Sequence, residues 1–402
     1  MLSTLLVLLL LLFCCKEGMV SNTFTIARRI FPLILTFFLF SFAQSTPRAV
    51  VHIGPHKTSS SRIQSVLVSI TKELAAHNYY WPNQTDGVPM NLKGISNFAY
   101  ALKGFGRNQP ADITHMDSFI QDSLRLNRSI ILSSEEFDDM NKAQVMTLSN
   151  HLKGFNVTIV FVYRELLAQL ISLHFELNRF EHTVSFSKSF ASYLFGILDN
   201  MPLILRPVDI LATYADVFGP DTIRIIDLVG TNTAGKDVAH VLLCQVVGIL
   251  CDHTKFPAMN ANSGYTLIPA QVFSFFKTYV EQQNNGKCDF CGSIRKEYDR
   301  LAGRYTNHTK THAPPVTINT KLTMLLPYAQ QADITLRATY GSAILHGNQK
   351  ANFQAMAKAQ VQELDPERFV TDLYWNNWIH SEYDKALAAG QLCNCGSPSV
   401  II

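Results

Sequence analysis

Apolar positions along this chain follow two rhythms. Some are short, near-continuous β-branched runs, the pattern of strands buried on both faces of a parallel sheet, and others recur every three or four residues as on one face of a helix. "AVVHIG" (Ala49 to Gly54) reads as a first strand and Ser59 to His77 as the helix after it. "RSIILSSEEF" (Arg128 to Phe137) and "NVTIVFVYR" (Asn156 to Arg164) read as two further strands, and Glu165 to about Phe180 as a helix. "ILATYADVFGPDTIRIIDL" (Ile210 to Leu228) reads as helix, Gly-Pro-Asp turn and strand. Strands that alternate with helices predict a three-layer α/β/α fold around a central, mostly parallel sheet. The segment from Leu322 to Ala389 reads as helices, so a helical C-terminal extension is expected.

In such a sheet, ligands gather beyond the carboxyl ends of the strands. That places the loop after Gly54, the "SSEEF" exit and the "YR" exit on one rim. The stretch from Trp81 to Pro110, rich in Asn, Gly and Pro, is expected to pass over that rim and shape an acceptor pocket.

The amino terminus is a different material. Leu2 to Cys15 is almost wholly apolar, and a second apolar run, Ile30 to Phe42, follows the basic pair Arg28 and Arg29. Neither reaches the roughly 20 residues of a comfortable membrane span. The second has the charged, apolar and small-residue parts (Ala43, Ser45) of a secretory signal. From Met19 it stands alone; from Met1 the two runs act together as a signal anchor. The expected organisation is residues 1–46 as signal peptide or anchor, 47–300 as an α/β domain and 301–402 as the extension. The expected address is the secretory pathway, as a type II membrane protein of the Golgi lumen or as a secreted chain.

Four N-x-[ST] sequons, at Asn83, Asn127, Asn156 and Asn307, agree with that address. Asn156 is expected to be the poorest acceptor, because it adjoins a buried strand. Six cysteines lie outside the apolar segment (Cys244, Cys251, Cys288, Cys291, Cys393 and Cys395), an even number that suits an oxidising compartment. "CDFC" is read as disulfide-forming rather than as half of a zinc site, since no second CxxC or histidine pair completes one. A net charge of +3 over 402 residues, with no Lys/Arg-rich tract, gives no sign of a nucleic-acid partner.

Candidate chemistry begins in "HIGPHKTSSSRIQ". Lys57 is followed by Thr58, Ser59, Ser60 and Ser61, four hydroxyls where a helix start offers N–H groups and its positive dipole end to an anion. Serine-rich helix starts also serve as plain N-caps. The nucleoside-triphosphate signature G-x-x-x-x-G-K-[ST] is not matched, because Lys57 lies three residues after Gly54 with no glycine before it. In "VYRELLAQLISLH", Arg164 closes a strand and Ser172 follows eight residues later. Such a pair either grips one phosphate, the guanidinium as a bidentate fork, or forms a capping ion pair with Glu165 beside a solvated serine. Glu135 and Glu136 stand at a strand exit, where one of two adjacent carboxylates has its pKa raised toward that of a useful base. Strand alternation lets only one point into the site, and Glu136 is favoured. His52 reads as a core histidine; His56, on the loop, is a rival base or phosphate contact.

Together "HIGPHKTSSSRIQ" and "FVYRELLAQLISLH" resemble the sulfotransferases that use 3′-phosphoadenosine 5′-phosphosulfate (PAPS). "ILSSEEF", "YADVFGPDTIRIIDL" and "MNANSGYTL" resemble segments of the carbohydrate-type and related bacterial-like branch, so the likeness spans about Pro47 to Gln283. It implies a P-loop NTPase-like sulfotransferase fold. It also implies that Lys57, Thr58, Ser59, Ser60 and Ser61 cradle the 5′-phosphosulfate and that Arg164 and Ser172 hold the 3′-phosphate. Family loops usually carry glycine where this chain has Ser59. The implied activity is sulfuryl transfer from PAPS to a hydroxyl or amine of a carbohydrate or related acceptor, with no metal required. A non-catalytic nucleotide- or glycan-binding protein and a kinase-like phosphotransferase are the alternatives.

Overall fold

Val50, Val51 and Ile53 are fully buried, as their β-branched run requires, and they form the centre of a parallel sheet. The computed structural model describes residues 46–82, 93–104, 109–180, 206–252, 267–283, 289–291, 294–315 and 317–393. The apolar amino-terminal runs, the Asn83 sequon, nearly all of "MNANSGYTL", Cys288 and Cys395 lie outside these.

The sheet has six strands: β1 (Arg48–His52), β2 (Tyr79–Tyr80), β3 (Ser129–Ser133), β4 (Asn156–Tyr163), β5 (Ile223–Asp227) and β6 (Ile344–Leu345). Their order is β2-β3-β1-β4-β5-β6, and every pairing is parallel. The chain steps from β1 toward the β2 edge, then returns across β1 to β4. The sheet therefore changes winding direction beside β1, the position at which sheets of this kind gather ligands. Register runs on past β1, since Ile53 donates to the Val160 carbonyl and Val162 to that of Gly54, both at 2.9 Å. The anion-loop candidate thus starts from a fixed strand end.

The first helix divides and the exit of β3 takes a defined shape, both for visible reasons. The helix expected over 59–77 divides into α1 (Ser60–Ser69) and a short helix Thr71–Ala76, because Ile70 at φ −110° closes one and opens the other. The strand of "RSIILSSEEF" ends at Ser133, where its polar exit begins. Ser134 then caps a 3₁₀ turn over Glu135–Phe137 by accepting from the Glu136 N–H. Tyr214, buried on α2 (Pro207–Phe218), donates its hydroxyl to the Phe137 carbonyl at 2.7 Å and holds that turn against the core.

Pro47–Ile402 forms one compact unit, and elements on both sides of residue 300 share it. β6 completes the sheet, and a second aromatic core joins Phe273 and Phe276 to Trp375, Trp378 and Tyr383. A buried polar network fastens the later helices to β5. Arg337 on α3 (Leu326–Tyr340) donates to Asp227 at 2.7 Å and to Asp333 at 2.8 Å, and Asn352 donates to Asp227 at 2.9 Å. Disulfides join Cys244 to Cys251 and Cys291 to Cys393. Cys291 of "CDFC" is thus spent on a partner 102 residues away. No helix among the described residues is long and apolar enough to cross a membrane.

Candidate active site at the carboxyl edge of the sheet

The chain turns sharply after β1. Gly54 takes φ +86°, and a Cβ there would stand 3.1 Å from the Glu135 Cα, so both conformation and close packing call for glycine. Lys57 and Ser59 also adopt left-handed backbone, at φ 66° and 74°. The glycine usual at the Ser59 position in the resembling family is therefore the residue this turn suits, and Ser59 holds it against its own Cβ. Thr58 is fully buried and donates to the Pro55 carbonyl; it braces the turn from beneath. Ser60 opens α1 with its Oγ buried and without a hydrogen-bond partner among the described residues. Ser61 is exposed, and Ser59 makes no side-chain cap. These serines are thus not plain N-caps of α1.

The exits of β1 and β4 meet. Arg164 donates from Nη1 to the Lys57 carbonyl at 2.9 Å, joining two motifs 107 residues apart. Burial lowers the guanidinium pKa, opposed by the charge of Glu165. Glu165 does not bridge it: that carboxylate accepts from the Leu167 and Ala168 N–H groups, both at 2.8 Å, and caps α4 (Leu166–Phe180). Among the described residues no carboxylate forms a salt bridge with Arg164, so a half-buried cation faces the loop. Gln169, one turn into α4, reaches the His56 carbonyl at 3.3 Å. Ser172 is half-buried six residues beyond the first residue of α4, about 9 Å along its axis. No hydrogen bond among the described residues links it to Arg164.

The "SSEEF" exit supplies the facing wall. His56 donates its backbone N–H to Asp138 Oδ2, and its ring Nδ1 lies 2.9 Å from the same oxygen. Its Nε2 stands 3.7 Å from Glu136 Oε1. Burial alone would lower the imidazole pKa, but hydrogen bonds to Asp138 and Glu136 and the charges of Asp138 and Glu135 outweigh it and carry it up to about 11. Burial pushes Asp138 up and the His56 donors oppose it; with two donors aimed at one oxygen, the shared proton belongs on the ring. These partners favour the protonated ring, which then donates to both carboxylates.

Glu136 is shifted the other way. Burial would raise its pKa, yet hydrogen bonds from His56 and Tyr100 and the charges of His56 and Lys103 hold it at about 2. The shift is downward, not upward, because cations and donors from two other segments, the His56 loop and the Tyr100–Lys103 stretch, converge on it. Lys103, its side chain only 4% exposed, lies 3.2 Å from Glu136 and 2.7 Å from Asp139 and sits over the Tyr100 ring. The strand-alternation argument also lapses, since Glu135 and Glu136 lie on the 3₁₀ turn and both are half-buried. His52 is a core residue, as expected. It is fully buried, its Nδ1 lies 2.8 Å from Ser133 Oγ, and burial lowers its pKa to about 3.

Sequence reasoning passed over Asp138, Lys103, Tyr100 and Gln169. Asp138 carried a signal, for "EEFDD" holds four carboxylates in five residues directly after a strand. Tyr100 lies in the last turn of a helix (Lys93–Leu102) and Lys103 just beyond it, and only folding reveals their approach to Glu136. Among the described residues, no group of three or more His, Cys, Asp or Glu side chains is placed to hold a metal ion.

No protein-family model matches this chain, and no curated protein is found similar to it. Among solved structures it is similar to a sulfotransferase from Alicyclobacillus acidocaldarius, with 15% sequence identity and a TM-score of 0.35, over 59% of this chain and 93% of that one.

Proposed function

We propose that this protein is a PAPS-dependent sulfotransferase of the secretory pathway, moving a sulfuryl group to a hydroxyl or amine of a carbohydrate or related acceptor. The observation that carries this reading is the Arg164 contact with the Lys57 loop: a half-buried guanidinium, without a carboxylate salt bridge among the described residues, set beside a tight turn at a helix start. Two anionic groups on one nucleotide, a 3′-phosphate and a 5′-phosphosulfate, match two cationic residues on adjacent strand exits. Ser60 Oγ, buried and without a partner among the described residues, is a donor that a phosphate oxygen in the loop would satisfy.

Sulfuryl transfer, like phosphoryl transfer, depends on in-line positioning and charge stabilisation more than on covalent help. Lys57 neutralises charge on the leaving 5′-phosphate, and Thr58, Ser59, Ser60 and Ser61 shape and line the turn around it. His56 adds a second cation near the transferring group. Glu136, ionised and weakly basic, accepts a hydrogen bond from the acceptor hydroxyl and orients it. In a loose transition state the nucleophile carries little bonding, so its proton is lost late and a strong base is not required. Arg164 takes the 3′-phosphate, with Ser172 further along α4 as its second contact.

The test is release of 3′-phosphoadenosine 5′-phosphate (PAP) from PAPS in the presence of a panel of neutral, acidic and amino sugars. Acceptor-dependent release by the wild type, lost in Lys57→Ala, supports the reading. A protein that binds PAPS yet never turns it over would be the non-catalytic alternative.

A further inference from the structure

At the edge of the sheet opposite the Lys57 loop, a cleft of about 460 Å³ opens beside the amino ends of β4 and β5. That volume lies within the roughly 300–1,000 Å³ of clefts that enclose small ligands. Its lining mixes aromatic carbon, from Phe155 and Phe218, with polar groups, from Asn150, Lys153 and Thr222. This mixed chemistry matches a sugar ring, whose C–H face stacks on aromatic carbon while its hydroxyls and N-acetyl group take hydrogen bonds. Asn156 lies on the cleft's own lining and begins the sequon Asn156-Val157-Thr158.

The buried strand does not hide this residue. β4 emerges from the core over its first three positions, with Asn156 exposed and Val157 and Thr158 half-buried. The Asn156 N–H donates to the Pro47 carbonyl at 2.9 Å, which fixes the backbone and leaves the side chain to the cleft. The other two described sequons lack such a seat. Asn127 is half-buried, in left-handed backbone at φ 52°. Asn307 is exposed on a helix end, with its Oδ1 accepting from Lys310.

We propose that Asn156 carries an N-linked glycan whose first N-acetylhexosamine lies in this cleft. In the modification, Asn156 Nδ2 bonds to C1 of a lipid-pyrophosphate-linked oligosaccharide. The C1–O bond to the pyrophosphate breaks, and the amide proton leaves with the host transferase's base. The glycan sits at the first of eight strand residues, about 23 Å from the carboxyl edge, and so lies away from the Lys57 loop. The inference rests on the secretory part of the proposed function, which the two disulfides favour.

The experiment is glycopeptide mapping of the full chain made in a eukaryotic secretory host, followed by timed amidase release of glycans from native and denatured protein. Asn156 is expected to be occupied. Its glycan should be released about tenfold more slowly than that of Asn307 in native protein and equally fast once unfolded. Phe218→Ala should speed native release at Asn156 alone. Occupancy at Asn127 or Asn307 with Asn156 empty would overturn the inference and leave the secretory address standing. No glycan at any sequon would remove both. An Asn156 glycan released as fast as that of Asn307 would overturn its seating in the cleft.

Discussion

His56 turns both its backbone N–H and its ring Nδ1 to a single oxygen of Asp138, each at 2.9 Å. One buried carboxylate thereby sets the path of the loop and the charge of the imidazole.

That relationship has a pH signature. The His56 pKa rises from an ordinary 6.5 to about 11, so the folded state keeps a proton that the unfolded chain gives up. Its contribution to stability is whole below pH 6.5 and declines as pH rises toward 11, by up to about 1.4 kcal/mol per pH unit. Denaturation at pH 6 and pH 9 should show this fall in the wild type and lose it in His56→Gln. Nitrogen chemical shifts should find His56 an imidazolium at pH 8 while His52, four residues away, stays neutral at pH 5. A neutral His56 ring at pH 8 would refute the assignment.

Ser59 offers a gain-of-stability test. At φ 74° and ψ 23° its side chain opposes the backbone it must adopt. Ser59→Gly should stabilise the protein by roughly 0.5–1 kcal/mol in urea titration, with nucleotide affinity equal or better. A loss of stability would mean that the hydroxyl holds the turn.

Much of the main sheet was legible in the sequence because β1, β4 and β5 are buried on both faces and their β-branched runs say so. β2 and β6 were not, since each has two residues and exists only through its partner strand. The places of Lys57 and Arg164 followed from strand ends and the rim rule. The state of Glu136 did not, because Lys103, Tyr100 and His56 reach it from two other segments and reverse the shift that its neighbour Glu135 alone suggests.

The network around Asp227 is predicted to be structural. Arg337→Met leaves Asp227 and Asp333, both fully buried, without their shared cation. Breaking a buried pair in this way costs about 3–5 kcal/mol. A thermal or urea unfolding shift well below that would show that Asn352 and the Gly230 and Asn348 N–H groups suffice.

Lys57 separates chemistry from folding. It lies on the rim and not in the core, so Lys57→Ala should unfold at the wild-type midpoint while sulfuryl transfer slows roughly 100- to 1,000-fold. Near-normal turnover would remove Lys57 from the mechanism.

The most direct measurement is the affinity ratio for PAP against adenosine 5′-monophosphate, by calorimetry, in the wild type and in Arg164→Ala. If Arg164 reads the 3′-phosphate, the wild type should prefer PAP by roughly 10- to 100-fold, the worth of one charge-assisted contact, and the variant should lose that preference. Loss of the Arg164 bond to the Lys57 carbonyl weakens both nucleotides alike, so the ratio isolates the phosphate. Equal affinities in the wild type, or a ratio unchanged by Arg164→Ala, would contradict the account.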